Sequence, residues 1–340
     1  MHLPPSFRGT MDRAQARVLF ELMIVSLLVV AVSPFIGMQN LGLSVLDGSR
    51  GDPLLTSIFW KIRVPRVCMA FIAGASLALG GMVFQAVFRN FLASPFTLGV
   101  SSGAAFGAAL YFNLGISAQF FFLSGSSLLS ICGAVLTIIP VYLVSESRRE
   151  ISSTEILLCG VVLSFFFSSL ILFIQYLSDF TGILHITRWL MGGFDTVGFA
   201  AVLGMLVFVL PGLALAFLFG RELNLFTLGD ELASSRGLDV RRAKTLLFVL
   251  TSIMIGGVVA FCGPISSVGI MAPHICRLLI GHDHRYLAPA TFLLGGAFVV
   301  ACDTVARTII APYEIPVGVI TAILEGPFFL WLLLSRRGRS

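Results

Sequence analysis

The chain has 340 residues, of which 57% are hydrophobic and only 11% charged, with a mean hydropathy of +0.98 and a formal net charge of +5. So few charges exclude an ordinary water-soluble domain; with only two lysines, Lys61 and Lys244, and no basic stripe interleaved with aromatics, the positive balance excludes a nucleic-acid binder as well. Apolar runs of about 20 residues, enough to cross a ~30 Å hydrocarbon layer as a helix, recur along the whole chain. The reading is an all-α polytopic membrane protein with about ten transmembrane helices.

Residues 1–17 read as a cytoplasmic tail. The first span is Val18–Ile36; no small-residue cleavage site follows it, so it is a retained helix rather than a signal peptide. Val67–Phe88 is the second span and carries Ala70, Gly74 and Ala78 at four-residue spacing. Phe96–Phe112 is the third, with Gly99, Gly103 and Gly107 in the same relation; such stripes let helix backbones approach closely. The fourth and fifth are Gln119–Val144 and Ile156–Leu177, followed by a semi-polar stretch to Phe194. The sixth is Val197–Phe219. After the longest polar loop, 221–244, come Thr245–Cys262, a short Ser266–Ile280, Pro289–Ile310 and Pro316–Leu334. One ten-helix membrane domain therefore covers 18–335, and 336–340 form a cytoplasmic tail. This even count puts 16 of the 22 Lys and Arg residues on the side of the termini, which the positive-inside rule makes the cytoplasm.

Charge inside the spans is scarce. Asp303 and Arg307 stand one helical turn apart near the outer end of the ninth span, placed to neutralise each other. Glu325 is mid-span beside Gly326-Pro327 and reads either as a carboxyl bonded where the helix breaks or as a functional group. The six cysteines lie in apolar stretches without a CxxC pair, so no metal or redox site is expected. No phosphate-cradling GxxxxGK[ST] loop is present, so the chain is not expected to hydrolyse ATP. In the polar loop, Thr227-Leu228-Gly229-Asp230 reads as a capping box, Gly237 as a left-handed helix stop and Asp239 as the next start. A short surface helix with Leu228 and Leu232 on one face suits a partner's groove; a solvated connector is the plainer reading. Outside, Lys61, Arg63 and Arg66 suit either interfacial anchoring or an acidic soluble partner.

The run Arg63-Val64-Pro65-Arg66, then Gly74-Ala75, Gln85, Arg89-Asn90, Leu92-Ala93-Ser94-Pro95 and Leu98 to Ala104, resembles the FecCD-type permeases, membrane subunits of type II ATP-binding cassette (ABC) importers for iron–siderophore complexes, haem and cobalamin. Trp189 to Phe194, Leu228-Gly229, Ala233, Arg236-Gly237-Leu238, Cys262 to Ile265, Val268-Gly269, Ala272 to Ile275, Ala301 to Arg307 and Glu314 to Val319 extend the similarity across nearly the whole chain. The resemblance implies the type II importer permease fold, in the cell inner membrane with both termini cytoplasmic. It implies a homodimer, two cytoplasmic ATPase subunits that hold the ATP and magnesium, no cofactor on this chain, and a periplasmic binding protein. It further implies that Arg63, Arg66 and Arg307 meet that protein. Leu228, Gly229, Asp230, Glu231, Ala233, Arg236 and Gly237 form the ATPase-coupling element, and Asn90, Leu92, Ser153 and Thr154 narrow the cytoplasmic gate. Phe165, Phe166 and Phe167 lie on the path-lining span, with Glu325 a further pathway candidate. Ferric siderophore or haem is the first cargo expected and cobalamin the second, with an oxyanion such as molybdate also possible. An ion-coupled secondary carrier using Asp303, Arg307 and Glu325 is the rival of a different class. The sequence departs from the family pattern at Phe91, where proline is usual, at Ile270-Met271 and at Glu325.

Overall fold

The computed structural model describes residues 12–37, 41–42, 45, 52–115, 119–120, 123–147, 153–195 and 197–336. Expectations for residues 1–11, for Arg50, Arg148 and Arg149, and for 337–340 lie outside the described residues.

The helices, in chain order, are α1 (Arg13–Val32), α2 (Pro53–Ile58), α3 (Val64–Val87), α4 (Val100–Leu114), α5 (Gly125–Ser147), α6 (Ser153–Leu177), α7 (Phe180–Leu190), α8 (Ala200–Leu218), α9 (Gly220–Leu228), α10 (Asp230–Ser235), α11 (Val240–Cys262), α12 (Val268–Ile280), α13 (His284–Thr308) and α14 (Val317–Arg336). Each expected span has its helix: α1, α3, α4, α5, α6, α8 and α11 to α14. Among the described residues, seven helical stretches are long and apolar enough to cross a membrane; α4, α12 and the apolar part of α14 are shorter.

The chain departs from the expected boundaries where local hydrogen bonding outcompetes hydropathy. The second span begins far earlier than Val67: helix runs from Pro53 to Val87, started by the Asp52 carboxylate, which accepts from the Leu54 N–H at 2.9 Å, and widened by one π-helical turn at Phe59–Arg63. The third span begins later than Phe96. Ser94 and Thr97 exchange side-chain and backbone hydrogen bonds around Pro95, holding the chain in turns until Gly99, at φ +79°, lets α4 start. The fourth begins at Gly125, because Gln119–Phe120 (β1) pairs antiparallel with Leu123–Ser124 (β2). The semi-polar stretch after the fifth span folds as α7, capped by Asp179, which accepts from Gly182 N at 2.8 Å.

α3 is the axis of the core, buried along nearly its whole length and packed on by α8, α11, α12 and α13. In a bilayer, lipid competes equally for apolar faces, so close backbone approach does the joining. A Cβ on Gly81 of α3 would overlap the Gly269 carbonyl of α12, and one on Gly103 of α4 the Gly133 carbonyl of α5. A Cβ on Gly74 of α3 would likewise overlap the Gly295 carbonyl of α13, so the stripes read from spacing are contact seams. Two ends of this bundle matter for function: the start of α3 with the end of α13, and the end of α3 with the start of α13. Nineteen residues separate His284 from Asp303, roughly 30 Å of helix.

Candidate functional site

At the outer end, four charges from three segments close into one cluster. Arg66 donates from Nε and Nη2 to Asp303 Oδ1 at 3.1 and 3.0 Å, and from Nη1 to Glu314 Oε2 at 2.7 Å. Arg307 Nε lies 3.0 Å from Asp303 Oδ2, and its Nη2 donates to Ser33 Oγ at 3.1 Å. Asp303 is 1% exposed, Arg307 4% and Arg66 9%. Two cations against two carboxylates, with most hydrogen-bonding positions filled, is the arrangement under which buried ions are tolerable. The expected Asp303–Arg307 pair exists but is half of the cluster. As placed, Arg66 and Arg307 are interior residues bound to the chain's own carboxylates, so Arg66 is not the surface cation that the outer charge suggested. Lys61 is exposed, and Arg63 keeps part of its side chain at the surface while its Nη1 donates to the Pro34 and Phe35 carbonyls at 3.1 and 3.3 Å. Beside the cluster opens a cavity of about 320 Å³ whose wall includes Arg66, Glu314, His185, Arg188 and Asp195. Glu314 and Ser33 were not singled out from sequence, because each lies more than 240 positions from the arginine it serves.

At the opposite end, α9 and α10 form an elbow. The capping box does not form: Thr227 belongs to the last turn of α9 and its hydroxyl donates to the Asn224 carbonyl at 2.7 Å, while Gly229, at φ +117°, precedes α10. Asp230 instead faces Lys244 Nζ at 2.6 Å, and Arg89 Nη2 reaches it at 4.0 Å, tying α10 to α11 and to the end of α3. The stop at Gly237 is as expected: φ is +82°, Gly237 N donates to Ser234 O and Leu238 N to Ala233 O, and Asp239 caps α11 by accepting from Arg242 N at 3.1 Å. Leu228 and Leu232 are exposed and Ala233 is buried. Glu231 lies exposed on α10 and Arg236 exposed just past its end. A joint not read from sequence holds α9 in place. Asn224 Nδ2 donates to Asp283 at 2.7 Å, and its Oδ1 accepts from His284 N at 2.9 Å. Burial pushes the Asp283 carboxyl up, but hydrogen bonds from Arg285 and Asn224 outweigh it and hold it below the ordinary 3.8. The only hint in the sequence was an Asp directly ahead of a long helix.

The residues that the resemblance implies for the gate flank this end. Asn90 accepts from Leu92 N at 2.9 Å in a tight turn, and Leu92 is exposed. Phe91, the departure from the family pattern, lies under the Arg277 guanidinium, 5.1 Å from ring centre to Cζ. Thr154 is exposed in the first turn of α6; Ser153 opens that helix, and its side chain lies outside the described residues. Phe165 and Phe166 point away from the bundle, whereas Phe167 is buried against Phe106 at 5.5 Å; the three phenylalanines thus divide between an open face and the core. Glu325 accepts from Ser267 Oγ at 2.5 Å. Ser267 is the centre of a γ-turn with φ +74°, its flanking residues joined by Val268 N to Ser266 O at 2.9 Å, so an intramembrane carboxylate sits on a strained backbone position just ahead of α12. Among the described residues no group of His, Cys, Asp or Glu is arranged to hold a metal ion.

Comparison with known proteins matches the FecCD transport family over residues 18–335. The hemin transport system permease protein HmuU of Yersinia pestis is 34% identical over 326 residues, covering 96% of this chain and 98% of that protein. The vitamin B12 import system permease protein BtuC of Klebsiella pneumoniae is 36% identical over 331 residues, 97% of each chain. A solved structure assigned to the metal-chelate type of ABC transporter, in an inward-facing conformation, superposes with a TM-score of 0.84 at 31% identity, covering 94% of this chain and 99% of that one.

Proposed function

The chain belongs to the FecCD transport family, and from that premise we propose that it is the permease subunit of an ABC importer that moves a metal chelate from the periplasm to the cytoplasm. A second copy of the chain, two cytoplasmic ATPase subunits and a periplasmic binding protein complete the machine, which works in the inner membrane with both termini of this chain in the cytoplasm. The observation that carries this reading is the α9–α10 elbow. It is closed by Gly237, fastened to α3 and α11 through Asp230 and to α13 through Asn224, and it leaves Leu228 and Leu232 uncovered. A short helix so anchored passes a push on its apolar face to three core helices at once. ATPase closure would supply the push, and Asn90, Leu92 and Thr154 stand where the inner mouth narrows. The substrate keeps its bonds; the chain supplies a path and a hinge.

Ferric siderophore or haem remains the first cargo proposed and cobalamin the second; relatives named for hemin and for vitamin B12 are about equally similar and do not rank them. The carrier alternative loses two of its three ionisable groups to the outer cluster, where Asp303 and Arg307 neutralise each other. Reconstituted vesicles test the proposal. Uptake is expected only with the ATPase subunit and ATP present, and accumulation by this chain alone under an ion gradient would refute it.

A further inference from the structure

Arg277, in the last turn of α12, is as buried as Arg66, at 9% exposed. Arg66 and Arg307 are matched by Asp303 and Glu314, but Arg277 forms no ion pair or hydrogen bond among the described residues. The Phe91 ring covers one face of its guanidinium, yet a ring face does not satisfy the N–H donors, which lie in the guanidinium plane; Nη1 is buried with no hydrogen-bond partner. His284 opens α13 close by and is 2% exposed. Its tautomer is fixed by Asn224: Asn224 Nδ2 donates to Asp283, so Oδ1 accepts, and His284 Nδ1 carries the proton that meets it at 2.8 Å. Nε2 of the neutral ring is then an acceptor, and it too is buried with no partner. The charges of Arg277 and His282 both reach the His284 ring, and the acid felt there, Asp283, is already engaged by Arg285 and Asn224. This corner therefore holds a buried cation and a bare acceptor that the described residues leave unmatched, a costly state at membrane depth. Space adjoins it. A Cβ on Gly281, one turn past Arg277, would meet nothing within 4 Å, and the neighbouring Leu278 and Leu279 are exposed.

We propose that Arg277 and His284 hold a phosphate group at this rim of the bundle, Arg277 donating to its oxygens and His284 Nε2 accepting from a hydroxyl or ammonium that accompanies it. The planar guanidinium fork matches two phosphate oxygens. An ionised carboxylate offers acceptors alone and would leave Nε2 bare. Two sources share the required chemistry. One is a phospholipid of the leaflet at this end, whose headgroup brings the donor and whose acyl chains meet Leu278 and Leu279; basic pockets between membrane helices take headgroups in this way. The other is free phosphate, whose own P–O–H is the donor. Either one gives Arg277 the counter-charge that the chain's own carboxylates give Arg66 and Arg307, and it steadies the end of α12 against the turn that carries Phe91.

The full chain, stripped of lipid in detergent, is melted alone and with inorganic phosphate, phosphatidylglycerol or phosphatidylcholine. Phosphatidylglycerol or inorganic phosphate is expected to raise the midpoint by about 3 °C in the parent and not in Arg277→Gln. A rise with phosphatidylglycerol alone identifies the lipid as the source, and a rise with inorganic phosphate identifies the free anion. No rise with either, or the same rise in Arg277→Gln, overturns the site. Phosphatidylcholine has no N–H or O–H to give Nε2, so a response equal to that of phosphatidylglycerol overturns the part assigned to His284. Without any phosphate, Arg277→Gln should melt no lower than the parent, because it removes an unmatched charge; a much lower midpoint would mean that the chain itself satisfies Arg277 and would sink the proposal. Phe91→Leu removes the ring and should keep the phosphate response, and its loss there would show that stacking alone is at work. Native mass spectrometry of the chain taken directly from membranes reads binding without melting. About fivefold less of the bound group is expected on Arg277→Gln, and a parent that carries no phosphate-bearing adduct overturns the site whatever the variant does.

Discussion

Arg66 carries a burden that no exposed arginine would. It touches both Asp303 and Glu314, and without it Asp303 keeps Arg307 as its cation partner among the described residues, in a setting that strips water from charge. Arg66→Met is expected to cost about 3–5 kcal/mol of stability. Glu314→Gln, at a side chain 37% exposed, should cost about 0–1 kcal/mol. Unfolding of the two variants in detergent checks the contrast, and equal losses would contradict it. It follows that Arg66→Glu cannot serve as a docking test, because it sets a third acid against the cluster. Arg63→Glu is the cleaner probe, and it is expected to abolish stimulation of the complex's ATPase by the binding protein. At Ser267 two effects oppose each other. Ser267→Ala keeps the unfavourable φ and strips Glu325 of its donor, whereas Ser267→Gly strips the donor but relieves the backbone. The glycine variant should be the more stable by roughly 1 kcal/mol; thermal midpoints of the purified proteins decide.

Among elements, the elbow is where local rules and distant contacts divide the work. Its end was legible: glycine at 237 and aspartate at 239 stop one helix and start another by bonds within five residues. Its start was not, since Thr227 and Asp230 fit the capping pattern, yet Lys244 and Arg89 draw Asp230 elsewhere and α9 extends through Leu228. Gly237→Pro fixes φ near −65° where +82° is needed and removes the donor to Ser234. Insertion should persist while uptake falls away from ATP hydrolysis; normal uptake per ATP would count against coupling. The Asp283 joint carries a pH signature. A carboxyl held below 3.8 when folded contributes stability that is fully present above that pH and is lost as the pH falls through the lower folded value. Thermal stability attributable to this joint should therefore be flat from neutrality down to about pH 5 and fall only below about pH 4, and Asp283→Asn should lack that fall. A decline that is the same in both proteins would place the titrating group elsewhere.

For the molecule as a whole, the joints between helices are narrow and specific. Gly81→Leu would drive α3 from α12 at the centre of the core, while Gly326→Ala meets nothing within 4 Å. The first is expected to abolish a monodisperse folded protein in detergent and the second to leave the melting profile within a few degrees. The sequence by itself determined membrane residence, the approximate helix count, the glycine seams and the family, because hydropathy, small-residue spacing and helix stops are written in neighbouring residues. Only the tertiary structure decided that Arg66 and Arg307 face inward, that Asp230 serves α11 and not its own helix, and that Glu314 and Ser33 complete the outer charge cluster. Hydropathy records that a charge is present but not which way it points, and the partner that neutralises Arg66 stands 237 positions away.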